Sequence, residues 1–338
     1  MAFLDNALTQ SLDLRTPLWQ APLPFELISS QTTGEISAAG ALGIITIGES
    51  GNCRQLQDAL AQYGEYHQQP GICFSHRLPQ SPHWQIPQDA QGQLQHLAHQ
   101  YQIDYPLPKN DHFLDLLDTA IQASPRLIGF ANGIPEKDTI AFIQSQQIPT
   151  FAICHSVAEA IAAADFGIDY LVLQGVEAGG EQHRFENALP ELRQSALALL
   201  QQVRNHVSLP IVLWGDFTHG ADIVGALLAG AQAVMLDRPL LQCTLSAEQI
   251  EVLKKSSEYD FRTDYRFTNR ALRYLPIKTD TPNLDYLDPM LRQVFMEHYF
   301  RQYPEAKPLS MSVSANQLPT TLHQLLNSLN EQMRHYLG

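Results

Sequence analysis

Eight short apolar runs, each followed by a stretch with helical spacing, constrain this chain more than any other feature of its sequence. The runs fall at residues 18–23, 43–48, 71–76, 127–131, 150–155, 170–174, 211–214 and 233–236. They are rich in β-branched residues and nearly continuous in apolar character, so each strand is to be buried on both faces. Such strands, alternating with helices, form a parallel sheet. A count of eight predicts a closed α/β barrel, the (β/α)8 TIM barrel, with a doubly wound open sheet as the other arrangement the pattern allows.

The chain has 338 residues, of which 44% are hydrophobic and 17% charged. The charged share lies below the roughly 25% usual in soluble domains, so a large core is available and global disorder is excluded. A barrel takes about 250 residues, which assigns residues 1–245 to it and leaves residues 246–338 as a mostly helical C-terminal subdomain. Within that tail, residues 284–303 and 319–337 have the spacing of amphipathic helices. Residues 156–159 read Ser-Val-Ala-Glu, a capping box opening a helix over 158–165 that ends near Gly167. Residues 218–228 predict a further helix.

The stretch 79–111, after the third strand, breaks the rhythm with prolines, glutamines and the histidines His83, His96 and His99, with His112 just beyond it. It is expected as an insertion over the barrel mouth or as a partner surface. His96 and His99 share a helix face by their spacing, but no HxH or HxxxH ligand pair occurs, and solvated histidines are expected rather than a metal site. Cys53, Cys73, Cys154 and Cys243 form no CxxC pair, which excludes a disulfide framework and a zinc site.

Lys+Arg 21 against Asp+Glu 35 leaves a net charge of −14, which excludes a basic nucleic-acid binder. No apolar run reaches the roughly 18 residues that span a bilayer, and Met1 to Arg15 lacks a secretory pattern. A cytoplasmic protein is expected, with a small molecule as its partner and an oligomer open.

In α/β barrels the working residues lie at the C-terminal ends of the strands. Here those ends carry Gln20-Ala21-Pro22-Leu23, Gln174-Gly175-Val176-Glu177-Ala178-Gly179-Gly180, Trp214-Gly215-Asp216 and Leu236-Asp237-Arg238. Together with Ser37–Gly43 (SAAGALG), Ser156–Ala160, residues 209–212, Ala229-Gly230-Ala231 and residues 267–273, they resemble the nitronate monooxygenase family, also called 2-nitropropane dioxygenases. The Glu-Ala-Gly-Gly stretch after a strand-ending Gln-Gly is the most specific match.

The resemblance implies an FMN-dependent barrel that oxidises alkyl nitronates with dioxygen, the flavin carrying the electron chemistry. By the same resemblance, Ala21, Pro22 and Leu23 line the flavin, Gln174 contacts its ring system, and Gly179 and Gly180 lie beside it. Gly215 falls on the phosphate loop. Departures stand beside these matches. The family's histidine directly after Gly180 is Glu181 here, with His183 two residues on; the second phosphate-loop glycine is Asp216; a glycine-threonine pair is Asp237-Arg238; and the strand-three asparagine corresponds to Cys73.

Chemistry gives these departures consequences. Two carboxylates beside a phosphate are costly, at about 4 kcal/mol for like charges 4 Å apart near a protein surface, so Arg238 is expected to grip the phosphate while Asp216 turns outward. Glu181 is expected to act as a base if burial raises its pKa, with His183 as a second candidate. Trp214 is read either as a ligand-stacking ring or as core, Cys154 as core, and Arg270 and Arg273 as anchors for the tail. Three functions follow: a nitronate oxidase of this type, an enoyl-acyl-carrier-protein-reductase-like enzyme using NAD(P)H, or a barrel that has lost FMN and serves as a binding module.

Overall fold

A computed structural model describes residues 3–75, 88–104, 112–185, 193–277, 281–313 and 321–338. All eight apolar runs form strands: β1 (Leu18–Gln20), β2 (Ile44–Ile47), β3 (Gly71–Phe74), β4 (Leu127–Phe130), β5 (Thr150–Cys154), β6 (Tyr170–Gln174), β8 (Ile211–Trp214) and β9 (Ala233–Leu236). Every neighbour is parallel, in the order β1-β9-β8-β6-β5-β4-β3-β2. The Trp19–Leu42 bridge joins the two ends of that sheet. The result is a TIM barrel rather than an open doubly wound sheet. Its strands are buried along almost their whole length, as runs with no polar face must be.

The helices between the strands are set by local chemistry. The Ser156 hydroxyl accepts from the Glu159 N–H at 3.1 Å, opening the helix Val157–Phe166. Gly167 closes it with φ near 92°, in the left-handed region where a glycine carries no Cβ penalty. The helix Gly220–Leu228 corresponds to the predicted 218–228.

The core is packed tightly enough to forbid small additions. Gly129 on β4 lies in register with Phe151 on β5, and a Cβ built on Gly129 would stand 2.0 Å from the Phe151 ring. Gly129→Ala is therefore expected to destabilise the protein by about 1–3 kcal/mol through overpacking. Urea unfolding checks this, and an unchanged midpoint would contradict it.

The tail differs from a purely helical subdomain. It supplies helices Ala247–Lys255, Pro289–Gln302 and Leu322–Leu337, but also β10 (Arg262–Asp264) and β11 (Leu272–Tyr274). β11 pairs antiparallel with β10 and with β7 (Gly180–Glu181), so the tail is joined to the loop that follows β6. In the insertion, a helix spans Gln88–Gln100 and carries His96 and His99. Its Leu94 and Leu97 share a second apolar cluster with Phe25, Phe267, Phe295 and Phe300. His83 and the stretches 79–87 and 105–111 lie outside the described residues, as does Pro319 ahead of the last helix.

Candidate active site

Four groups of strand-end residues meet at the C-terminal mouth, and a single glutamine organises the central one. Gln174, at the end of β6, is fully buried. Its Nε2 donates to the Glu181 carbonyl at 2.7 Å, and its Oε1 accepts the His183 N–H at 2.9 Å. This fixes the backbone of the 181–183 segment across the mouth. Gly180, with φ near 82°, lies against the Trp214 ring, where a Cβ would meet ring carbons at 3.3 Å.

The side chains of that segment point into protein. Glu181 is 1% exposed and His183 0%, so neither is the solvated loop acid or swinging imidazole that a loop position suggests. Asn132, after β4, donates from Nδ2 to the Ser75 carbonyl at 3.0 Å and so turns its Oδ1 toward His183 Nδ1, 2.9 Å away. An amide oxygen only accepts, so the network assigns the proton to Nδ1. His183 Nε2 is then a bare lone pair, buried and without a partner among the described residues. Burial and the nearby Arg270 charge hold this imidazole well below its ordinary pKa, so it is neutral.

Glu181 sits in a crowd of carboxylates. Its Oε1 accepts from Gln293 Nε2 at 3.2 Å, and the same amide donates to Glu297 Oε1 at 3.2 Å. Glu297 also takes the Glu49 N–H at 3.2 Å and the Ser50 N–H at 2.8 Å. Arg270, 1% exposed, lies 3.6 Å from the Glu49 carboxylate. Burial pushes the Glu181 pKa up to about 8; Arg270 pulls it down, and Glu49 and Glu297 push it up. A carboxyl poised near neutrality can both take and return a proton.

A cavity of about 30 Å³ adjoins Glu181, room for roughly one water. A larger groove of about 240 Å³ runs along β2 and shares Leu23, Glu26, Thr46, Gly48 and Arg301 with it. Phe25 and Glu26 roof this junction with φ near 60° and 52°, left-handed conformations that cost a non-glycine residue of order 1–3 kcal/mol each.

The rim expected to seat a phosphate is filled by the chain itself. Asp237, 1% exposed, accepts at Oδ2 from the Gly179 N–H at 2.7 Å and the Trp214 indole at 3.1 Å. Its Oδ1 accepts from the Ser312 hydroxyl at 2.8 Å, the Ser312 N–H at 3.2 Å and the Arg238 N–H. Arg238 Nη1 donates to the Ser312 carbonyl at 3.0 Å, so it braces the tail rather than facing an open phosphate seat. Glu177, anchored by the Ala196 N–H at 2.8 Å, covers Gly215, where a Cβ would meet its carboxylate at 2.9 Å. Asp216 is half-buried and acts through its charge on Arg238 and Arg273.

Among the described residues, the rim as it stands therefore does not fit the phosphate of FMN. The Gly179 and Arg238 N–H groups at the rim are engaged by Asp237, and the cavities near Glu181 fall below the roughly 300 Å³ at which ligand pockets begin. Ala21, Pro22 and Leu23 do lie buried at the mouth, with Leu23 lining both cavities. Cys73 does not. It is fully buried inside β3, because the strand end that reaches the mouth is Ser75.

Sequence reasoning missed Asn132, Ser75, Glu49, Gln293 and Glu297, and it assigned Arg270 to tail anchoring. Asn132 and Glu49 directly follow apolar runs, the position that marks mouth residues, and Ser75 falls at the end of one. Gln293 and Glu297 arrive on a helix remote in sequence, and no local signal marks them. Among the described residues no group of three His, Cys, Asp or Glu side chains is arranged to hold a metal, and no helix is long and apolar enough to cross a membrane.

Comparison with known proteins agrees with this architecture. The family model for nitronate monooxygenase matches residues 6–263. A probable nitronate monooxygenase from Staphylococcus haemolyticus is 27% identical over 269 residues, covering 77% of this chain and 74% of that protein. Its counterpart from Staphylococcus saprophyticus is 26% identical over 278 residues, covering 79% and 76%. Among solved structures, nitroalkane oxidase from Streptomyces ansochromogenes superposes with a TM-score of 0.72 at 22% identity, covering 98% of this chain and all of that one. FabK from Thermotoga maritima gives 0.70 at 16%, covering 98% and 96%. At such identities the structural likeness is one of fold.

Proposed function

The chain belongs to the nitronate monooxygenase family of FMN-dependent oxidoreductases, and on that premise we propose that its barrel mouth handles the acidic Cα–H of a small nitro compound, with Glu181 as the group that takes the proton. One observation carries this reading: a carboxyl buried beside a cavity, with its pKa pushed up to about 8. An ordinary carboxylate is too weak a base for a carbon acid whose pKa is far above its own. Raising it toward the working pH improves the match.

Each neighbour has a definite part. Gln293 orients the carboxyl through Oε1, Arg270 limits how far its pKa rises, and Gln174 holds the backbone on which it sits. His183 offers a neutral acceptor at Nε2, held in that tautomer by Asn132. An imidazolium is not available there, so charge developing on a nitronate is met instead by Arg270 and amide donors. FMN supplies the family's electron chemistry when bound. The proton chemistry proposed here is independent of it.

Exchange of the α-hydrogen of a simple nitroalkane for deuterium in heavy water, followed by NMR, tests this step without any flavin. Exchange well above the buffer rate is expected, and none above it would contradict the proposal. A second reading, a barrel that has given up its flavin and binds ligands only, is favoured by the filled rim around Asp237. It predicts no catalysed exchange and no visible flavin absorption in the purified protein.

A further inference from the structure

Asp237 is not simply a buried carboxylate with a partner. Five donors from four separate residues, Gly179, Trp214, Arg238 and Ser312, converge on its two oxygens. Four of the five are N–H groups, and three of those belong to the backbone. Backbone N–H groups aimed at one point from separate segments form a concavity that favours an anion. Burial lowers the pKa of the cations Arg238 and Arg273, and the charges of Asp216 and Asp237 act against that on both.

Four segments build the concavity: the loop after β6, the end of β8, the end of β9, and the tail around Met311 and Ser312. They are packed hard together, for a Cβ on Gly179 would stand 2.5 Å from the Met311 backbone. No lining atom needs to be supplied by a ligand, because the chain brings its own anion on the residue directly after β9.

We infer that Asp237 is a resident internal anion occupying a tetrahedral-oxyanion cradle formed by the Gly179, Arg238 and Ser312 N–H groups, the Ser312 hydroxyl and the Trp214 indole. A phosphoryl group enters only when that carboxylate is removed. The inference concerns a site separate from Glu181 and stands whether or not the proton chemistry proposed above is correct. The shared ligand chemistry is a phosphate, free or at the end of a nucleotide tail.

Two measurements test it. In the first, Asp237→Gly is compared with the wild type by thermal unfolding in chloride and in inorganic phosphate at equal ionic strength, with equilibrium dialysis of labelled phosphate alongside. Five unpaired donors destabilise the variant in chloride. Phosphate is expected to raise its midpoint by at least about 3 °C and to bind once per chain, while the wild type shows neither effect. Phosphate-independent unfolding of a folded Asp237→Gly would overturn the inference.

In the second, wild-type protein is titrated with riboflavin and with FMN. FMN is expected to bind no more tightly than riboflavin, since Asp237 already holds the donors of the cradle. This arm decides the matter if the variant does not fold in either buffer. FMN held tenfold or more tightly than riboflavin by the wild type would overturn the inference directly.

Discussion

Arg270→Met is expected to cost about 3–5 kcal/mol of stability near neutral pH, the usual penalty for leaving a buried charge without its partner. Arg270 is 1% exposed and stands 3.6 Å from Glu49, and its charge also acts on Glu181 and His183. Without it, the Glu49 carboxylate loses the buried guanidinium that faces it beside Glu181 and Glu297. The Glu181 transition should move above about 8, because the larger of the influences that lower it is gone. Urea unfolding at several pH values checks both effects, and Arg270→Lys should recover part of each. A loss below 1 kcal/mol would show that the pair is not buried as described.

Glu181→Gln is expected to reduce nitroalkane α-hydrogen exchange by about 10²–10⁴-fold, the range over which a positioned base contributes. Glutamine keeps the volume of the side chain and an oxygen for Gln293 Nε2, so the loss reads the proton acceptor rather than the packing. The same variant carries a stability signature of defined sign. The folded carboxyl has a pKa of about 8 against the ordinary 4.5, so the native state binds the extra proton between those values. Its contribution is fully present below 4.5 and is lost as pH rises through 8. Glu159, Glu177 and Asp237 are raised by burial as well, and they slope the wild-type curve in the same direction. The difference between wild type and Glu181→Gln isolates Glu181: the variant gains relative stability toward pH 9 and gains none near pH 4. Equal curves would contradict the assignment.

The barrel was legible because its signal is local. Continuous runs such as 170–174 and 211–214 have no polar face to show water, and each became a strand buried throughout. The small antiparallel sheet was not legible. β7 is two residues long, and β10 is largely exposed with no apolar alternation, so neither carries a periodicity to detect. Their pairing is set by tertiary contact, through β11.

The site divides in the same way. Glu181 and His183 stand out against a family pattern, and the structure does bring them together, 3.9 Å apart between carboxylate and imidazole. What decides their chemistry is long-range. Gln293 and Glu297 come from a helix more than a hundred residues away, and Arg270 from the turn before β11. Cys73 lies buried within β3, and among the described residues it is Ser75, after that strand, that lines the cavity at the mouth. The reading of Arg238 as a phosphate grip did not anticipate that Ser312, from the distant tail, takes its guanidinium.

Charge at Glu181 near neutral pH is the point on which the functional account turns. Difference infrared spectroscopy of the carboxyl C=O stretch, with Glu181→Gln as the subtraction, reads that protonation state directly across pH. A buried, protonated acid at pH 6 that ionises around pH 8 is expected. A Glu181 band already lost by pH 6, as for an ordinary carboxylate titrating near 4.5, would contradict it.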